Sequence, residues 1–213
     1  MALTALAYAP AMVFYQRFLG CIDPLFAISV CILLGIACLI VVTLRGWLSI
    51  VVVHGARQAL SAFGLAAILP LVAIVIDVFI RFPKDMNQSF PASLGFYPSI
   101  GFLVEVVFHL VPITILLLLI TPFIRDSNNT VVVWSVLLVV ATIEPSFQTI
   151  SMASGSYPLA GRLAVFVNIL IFNITQMVLF ERVGFLAMYS SRLLYYLIWH
   201  IIWGSFRLAV LFD

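Results

Sequence analysis

The sequence predicts an all-α, polytopic membrane bundle of about six transmembrane helices, and three observations carry that prediction. Of the 213 residues, 65% are hydrophobic and 8% charged, against about 25% charged in an ordinary soluble domain. Mean hydropathy is +1.26. The apolar residues fall in long runs, whereas a transmembrane β-barrel shows short alternating segments. A soluble fold of this size cannot cover its surface with so few polar groups. Ten basic residues against eight acidic ones leave a net charge of +2, too balanced to imply a nucleic-acid partner. Cys21, Cys31 and Cys38 lack metal-ligand spacing, and the latter two read as small hydrophobes inside an apolar run.

A spanning helix needs about twenty apolar residues. Residues 1–22 carry Tyr8, Phe14, Tyr15 and Arg17 and predict a short interfacial segment. Runs follow over about 25–44, ending at Arg45, and 59–80, ending at Arg81. Between them, the mixed stretch 46–58 places His54 in a loop or at the interface. Residues 82–95 (FPKDMNQSFPASLG) are polar and Pro-rich, hence an interfacial loop. A third run covers about 96–123 and contains Glu105 and His109, and a fourth covers 130–143 and stops at Glu144-Pro145. A loop is expected over 149–161, a fifth helix over 162–180 and a sixth over 184–212. Asn128 to Thr130 fits a glycosylation sequon, a pattern common by chance. Basic residues divide evenly between the two sets of loops, so the positive-inside rule sets no orientation. No repeat is visible, and the chain reads as one domain over 1–213, an integral membrane protein of the bacterial cytoplasmic membrane type.

Ionisable groups within a span are costly and mark candidate sites. Five are present: Glu105, His109, Glu144, Arg192 and His200. Glu105 and His109 are four residues apart and share a helix face, a spacing that suits an acid/base pair and equally a mutual hydrogen bond. Glu144 precedes Pro145, where a helix break is expected. Arg192, Tyr196 and His200 form an i, i+4, i+8 stripe, with Glu105 and Glu144 the natural partners of Arg192; this is either an ion pair tying helices together or a cation for a developing oxyanion. Asp77 and Arg207 lie near helix ends and are expected to snorkel to the interface. Asn168, Asn173 and Gln176 are explained by interhelical hydrogen bonds. Tyr195, Trp199 and Trp203 read as packing or belt residues. No metal or other cofactor is expected: there is no HExxH motif, and Glu105–His109 is not the ExxH spacing of di-iron bundles.

Residues 166–200, FVNILIFNITQMVLFERVGFLAMYSSRLLYYLIWH, resemble the late region of the CPBP family of intramembrane proteases, which includes CAAX prenyl endopeptidases and bacteriocin-processing enzymes. An Asn-bearing helix leads through a turn at Phe180, Arg182 and Gly184 into a helix on which Arg192 takes the place of a motif histidine and Tyr196 that of its Asn partner. Upstream, VEVVFH at 104–109 aligns with the family's EExxxR, placing Val104 and Glu105 at the two Glu positions and His109 at the Arg. VATIE at 140–144 aligns with FxxxH, placing Glu144 at the His. The resemblance covers about 96–212.

In the family, the first Glu and the two motif histidines activate a water. Here those places hold Val104, Glu144 and Arg192, so the site is polar but its chemistry is exchanged. The resemblance implies an intramembrane glutamic-type endopeptidase. Glu105 with His109 would activate water, Arg192 would hold the oxyanion, and Glu144 and His200 would complete the site around a membrane-peptide substrate. The alternative is a catalytically inactive protein of the same fold. It would be an accessory or binding subunit of a larger membrane complex, with the charged residues forming a structural network. Membrane lipid is the expected partner in either case.

Overall fold

The computed structural model describes residues 19–51, 56–123, 129–153 and 158–212. The expectations for residues 1–18, His54 and Asn128 lie outside the described residues. Within them, six helices are long and apolar enough to cross a membrane: α1 Pro24–Leu44, α2 Leu60–Ile80, α3 Ser93–Phe123, α4 Thr130–Met152, α5 Leu159–Arg182 and α6 Phe185–Phe212. The chain is an all-α polytopic bundle.

Asp23 caps α1, accepting the Phe26 N–H at 2.9 Å, and Pro24 sits in the first turn where its missing N–H costs nothing. α1 packs on α3. Gly35 makes the approach close, because a Cβ there would lie 3.0 Å from a methyl of Val106. α5 is the central rod, flanked by α2, α4 and α6, and α6 also touches α2 and α3. The deepest apolar contacts join α3, α4, α5 and α6 through Leu110, Ile113, Leu137, Val140, Met177 and Met188. The outward surfaces of α1 and α2 carry large exposed apolar side chains such as Leu33, Leu44, Leu60 and Phe79, the pattern of a lipid-facing surface.

Two of the expected boundaries move. α4 does not end at Glu144: after a turn at Thr142 the helix resumes as Ile143–Ala153. Pro145 falls in the first turn of the resumed helix, where proline is tolerated. It has no N–H to give the Ala141 carbonyl four residues back, and the Asn173 amide of α5 supplies that donor at 3.2 Å. Residues 149–153 and 159–161 of the expected loop are therefore helical. At the start of α3 the helix begins at Ser93, so the polar stretch ends three residues earlier than expected; Phe82, Gln88 and Ala92 within it are buried.

The first turn of α6 lacks intrahelical acceptors for its N–H groups. The segment after α1 provides them: Phe185 and Leu186 donate to the carbonyls of Ser49 (3.1 Å) and Ile50 (3.3 Å). Gly184 makes this crossing possible. Its φ is +113°, and a Cβ there would collide with the Ile50 carbonyl.

Asp77 and Arg207 depart from expectation more sharply. Neither snorkels; both are buried. Arg207 Nη2 and Nε donate to Asp77 Oδ1 and Oδ2, each at 2.8 Å, and Trp203 Nε1 donates to Oδ2 at 2.8 Å. Arg207 Nη2 and Nη1 further donate to the carbonyls of Phe82 and Pro83, both at 2.8 Å. The pair locks the end of α2 to α6. The snorkelling expectation fails because two opposite charges 130 residues apart find each other, which removes the need to reach water.

Gly184→Ala is expected to destabilise the fold by about 1–3 kcal/mol, the cost of a strained backbone position, read as a lowered midpoint of thermal unfolding in detergent.

Candidate functional site

Four of the five residues singled out in the sequence converge in one cluster. Glu105 and His109 stand on α3, Glu144 on the resumed part of α4 and Arg192 on α6. The local backbone is unusual here. Glu105–Leu110 is π-helical, with the Val111 N–H reaching back to Val106, immediately before Pro112. A wide turn preceding a proline accommodates the ring, and single π turns occur frequently at functional sites.

Arg192 is the hub. Its Nη1 and Nη2 donate to Glu144 Oε1 (3.0 Å) and Oε2 (2.8 Å), a bidentate fork. Its Nε donates to Glu105 Oε1. Nη2 also donates to the side-chain carbonyl of Gln176 at 2.8 Å. The guanidinium lies over the ring of Phe172 (5.4 Å) and over that of Tyr196 (5.8 Å). Gly101 lies close to both Tyr196 and the Arg192 side chain, and a Cβ there would be 3.1 Å from the Tyr196 ring.

The carboxylates are used up in the same way. Glu105 Oε1 takes Arg192 and the Gln176 amide, and Oε2 faces His109 Nδ1 at 2.7 Å. Glu144 Oε1 also takes the Gln148 amide at 3.0 Å. The Gln176 amide nitrogen further donates to the Met188 carbonyl at 3.2 Å. His109 Nε2 is the loose end: it is buried, makes no hydrogen bond and lies 3.7 Å from Glu144 Oε2.

The cluster is closed to water: none of Glu105, His109, Glu144, Gln176 and Arg192 is more than 2% exposed. Two carboxylates in this setting are tolerable because Arg192 touches both and the amide and imidazole fill the remaining positions. Among the described residues, no group of three or more His, Cys, Asp or Glu is arranged to hold a metal ion.

His200, the fifth candidate, stands apart from these hydrogen bonds. It lies on the π-helical stretch Leu197–Trp203, with Nδ1 2.7 Å from Asn87 Oδ1 and its ring stacked on Tyr97 at 4.5 Å. Tyr196 joins the two regions, touching the His200 ring at 5.0 Å and facing Arg192.

Of the three α5 amides, Asn168 donates to the Tyr195 hydroxyl at 2.9 Å and Asn173 to Ala141, as interhelical hydrogen bonding anticipates. Gln176 belongs to the cluster itself, which its spacing on an apolar helix could not distinguish. Gln148 had a weak signal, the i+4 position from Glu144. Asn87 had none, since it sits in the polar loop.

No protein-family model, no curated protein and no solved structure matches this chain.

Arg192→Leu strands two buried carboxylates and is expected to cost about 3–5 kcal/mol, the usual result of breaking a buried ion pair from one side. Adding Glu105→Gln and Glu144→Gln to it should recover most of that loss. Thermal unfolding in detergent of the single and triple variants measures both effects; equal losses in the two would contradict the assignment of the cost to stranded charge.

Proposed function

We propose that this chain is a non-catalytic membrane protein resembling CPBP intramembrane proteases, acting as an accessory or binding subunit of a larger membrane complex. The observation that carries this reading is the dense internal pairing of the two carboxylates with Arg192. Hydrolysis by a Glu-activated water requires room for that water beside the carboxylate and a path for substrate to reach it. Glu105 instead gives both oxygens to Arg192, Gln176 and His109, and Arg192 gives its nitrogens to Glu105, Glu144 and Gln176. Every guanidinium nitrogen of Arg192 is engaged within the cluster, and the residues are buried. A network of this kind holds four spanning helices in register. The exchanged motif positions, with Val104, Glu144 and Arg192 where the family has Glu and two His, fit the same reading.

One observation favours the second reading, an intramembrane glutamic-type endopeptidase. His109 Nε2 is unsatisfied, and the π-helical turns at Glu105–Leu110 and Leu197–Trp203 are features that functional sites often use. A shift of α6 that withdrew Arg192 would leave Glu105 and His109 as a carboxylate–imidazole pair able to polarise a water.

The discriminating experiment reconstitutes the full chain in liposomes with quenched fluorescent membrane peptides. The expected outcome is no cleavage above that of empty liposomes, with the wild type and Glu105→Gln indistinguishable. Turnover by the wild type that disappears in Glu105→Gln, with unchanged thermal unfolding of the variant, would establish the endopeptidase instead.

A further inference from the structure

The end of the bundle formed by the tail of α1 and the tail of α5 carries a second polar arrangement, separate from the Arg192 cluster. A cavity of about 90 Å³ is lined by Gly46, Trp47, Thr130, Val133, Trp134 and Glu181. Glu181 Oε2 is buried and accepts no hydrogen bond, although Arg182 Nε lies 3.0 Å away. The Trp47 ring already attracts one cation, the Arg45 guanidinium at 5.9 Å, and Glu181 Oε2, ion-paired with Arg182 but without a hydrogen bond, can accept the N–H of an ammonium group beside the Trp134 ring.

Trp134 also lines a second space, a groove of about 440 Å³ along the side of the bundle. α2 and α4 each pack on α5 and leave the groove between them, walled by Ala62, Leu65, Ile174 and Val178, with Arg182 at its mouth. All these residues belong to, or end, spanning helices, so the groove faces hydrocarbon. Dense packing requires that an apolar chain fill it. Arg182 is half exposed, terminates α5 and has a guanidinium suited to a phosphate. Tryptophans at this level match the depth of lipid headgroups.

We propose that this end of the bundle binds a phospholipid with a primary-amine headgroup, phosphatidylethanolamine. Its ammonium sits beside Trp134 on Glu181 Oε2. Its phosphate lies on Arg182, and one acyl chain occupies the groove between α2 and α4. The charge order of the protein, carboxylate in the cavity and guanidinium at the groove mouth, matches the order of charges in that headgroup. A trimethylated amine has no N–H for the unsatisfied oxygen, and an uncharged headgroup alcohol forgoes both the cation–π contact and the ion pair. The site is independent of whether the Arg192 cluster is catalytic.

The test is native mass spectrometry of the full-length protein in detergent, with phosphatidylethanolamine, phosphatidylcholine and phosphatidylglycerol of identical chains offered in turn. Phosphatidylethanolamine should be retained about tenfold more tightly than either of the others, the worth of one charge-assisted hydrogen bond. Glu181→Gln, checked for unchanged thermal unfolding, should bring it down to the level of phosphatidylcholine, and Ala62→Trp should reduce binding of all three lipids by filling the groove. Equal retention of the three lipids by the wild type would overturn the proposal. So would an ethanolamine preference that persists in Glu181→Gln and in a Trp47→Leu, Trp134→Leu variant.

Discussion

A guanidinium deep in a membrane bundle needs hydrogen-bond acceptors, and at least one anion, around it, and Arg192 obtains its acceptors from three other helices. Glu105 comes from α3, Glu144 from α4 and Gln176 from α5, while Arg192 itself belongs to α6. The registers of four helices are therefore coupled through one side chain. A helix that slid by a turn would withdraw its partner and leave a charge in low dielectric, a penalty that apolar packing between lipid-like surfaces cannot offset. The backbone irregularities lie where this coupling requires them. The π turn at Glu105–Leu110 includes both α3 members of the cluster. The interruption of α4 at Thr142 comes just before Glu144, and Asn173 satisfies the carbonyl that Pro145 cannot.

The second buried pair, Asp77 with Arg207, repeats the principle at the other end of α6. It joins the end of α2 and the turn at Phe82 and Pro83 to the last helical segment. With Ser49 and Ile50 capping the start of α6, that helix is tied at its first turn, its middle and its end by polar interactions. The apolar surfaces of α1 and α2 contribute contact area, while these polar contacts contribute specificity: they select one arrangement among the many that greasy helices allow.

How much of this the sequence reveals depends on the range of the interaction. The spans are legible because a run of twenty apolar residues has few other fates, and the Glu105–His109 contact is legible because a helix repeats every 3.6 residues. The partners of Arg192 could be named because few intramembrane carboxylates exist to choose from. Asp77 and Arg207 read as interfacial because both lie near helix ends, and no local rule reports that two such ends meet. Gln176 was indistinguishable from Asn168 and Asn173, since all three are amides on one apolar helix and only the packing of α5 decides which faces Arg192. Asn87 and its contact with His200 depend on the path of an irregular loop, which no periodicity encodes. The continuation of α4 through Glu144-Pro145 is hidden because proline ends one helix and begins another with the same residue.

The central claim is that the Arg192 cluster is dry and paired. Solid-state NMR of the isotope-labelled protein in lipid bilayers, with magnetisation transferred from water, measures this at the guanidinium directly. The predicted result is slow transfer to the Arg192 side-chain nitrogens and to the carboxyl carbons of Glu105 and Glu144, as slow as to buried Leu110, while exposed Arg45 receives it rapidly. Transfer to Arg192 and Glu105 as fast as to Arg45 would contradict the account, because it would place mobile water where the structure places only paired side chains.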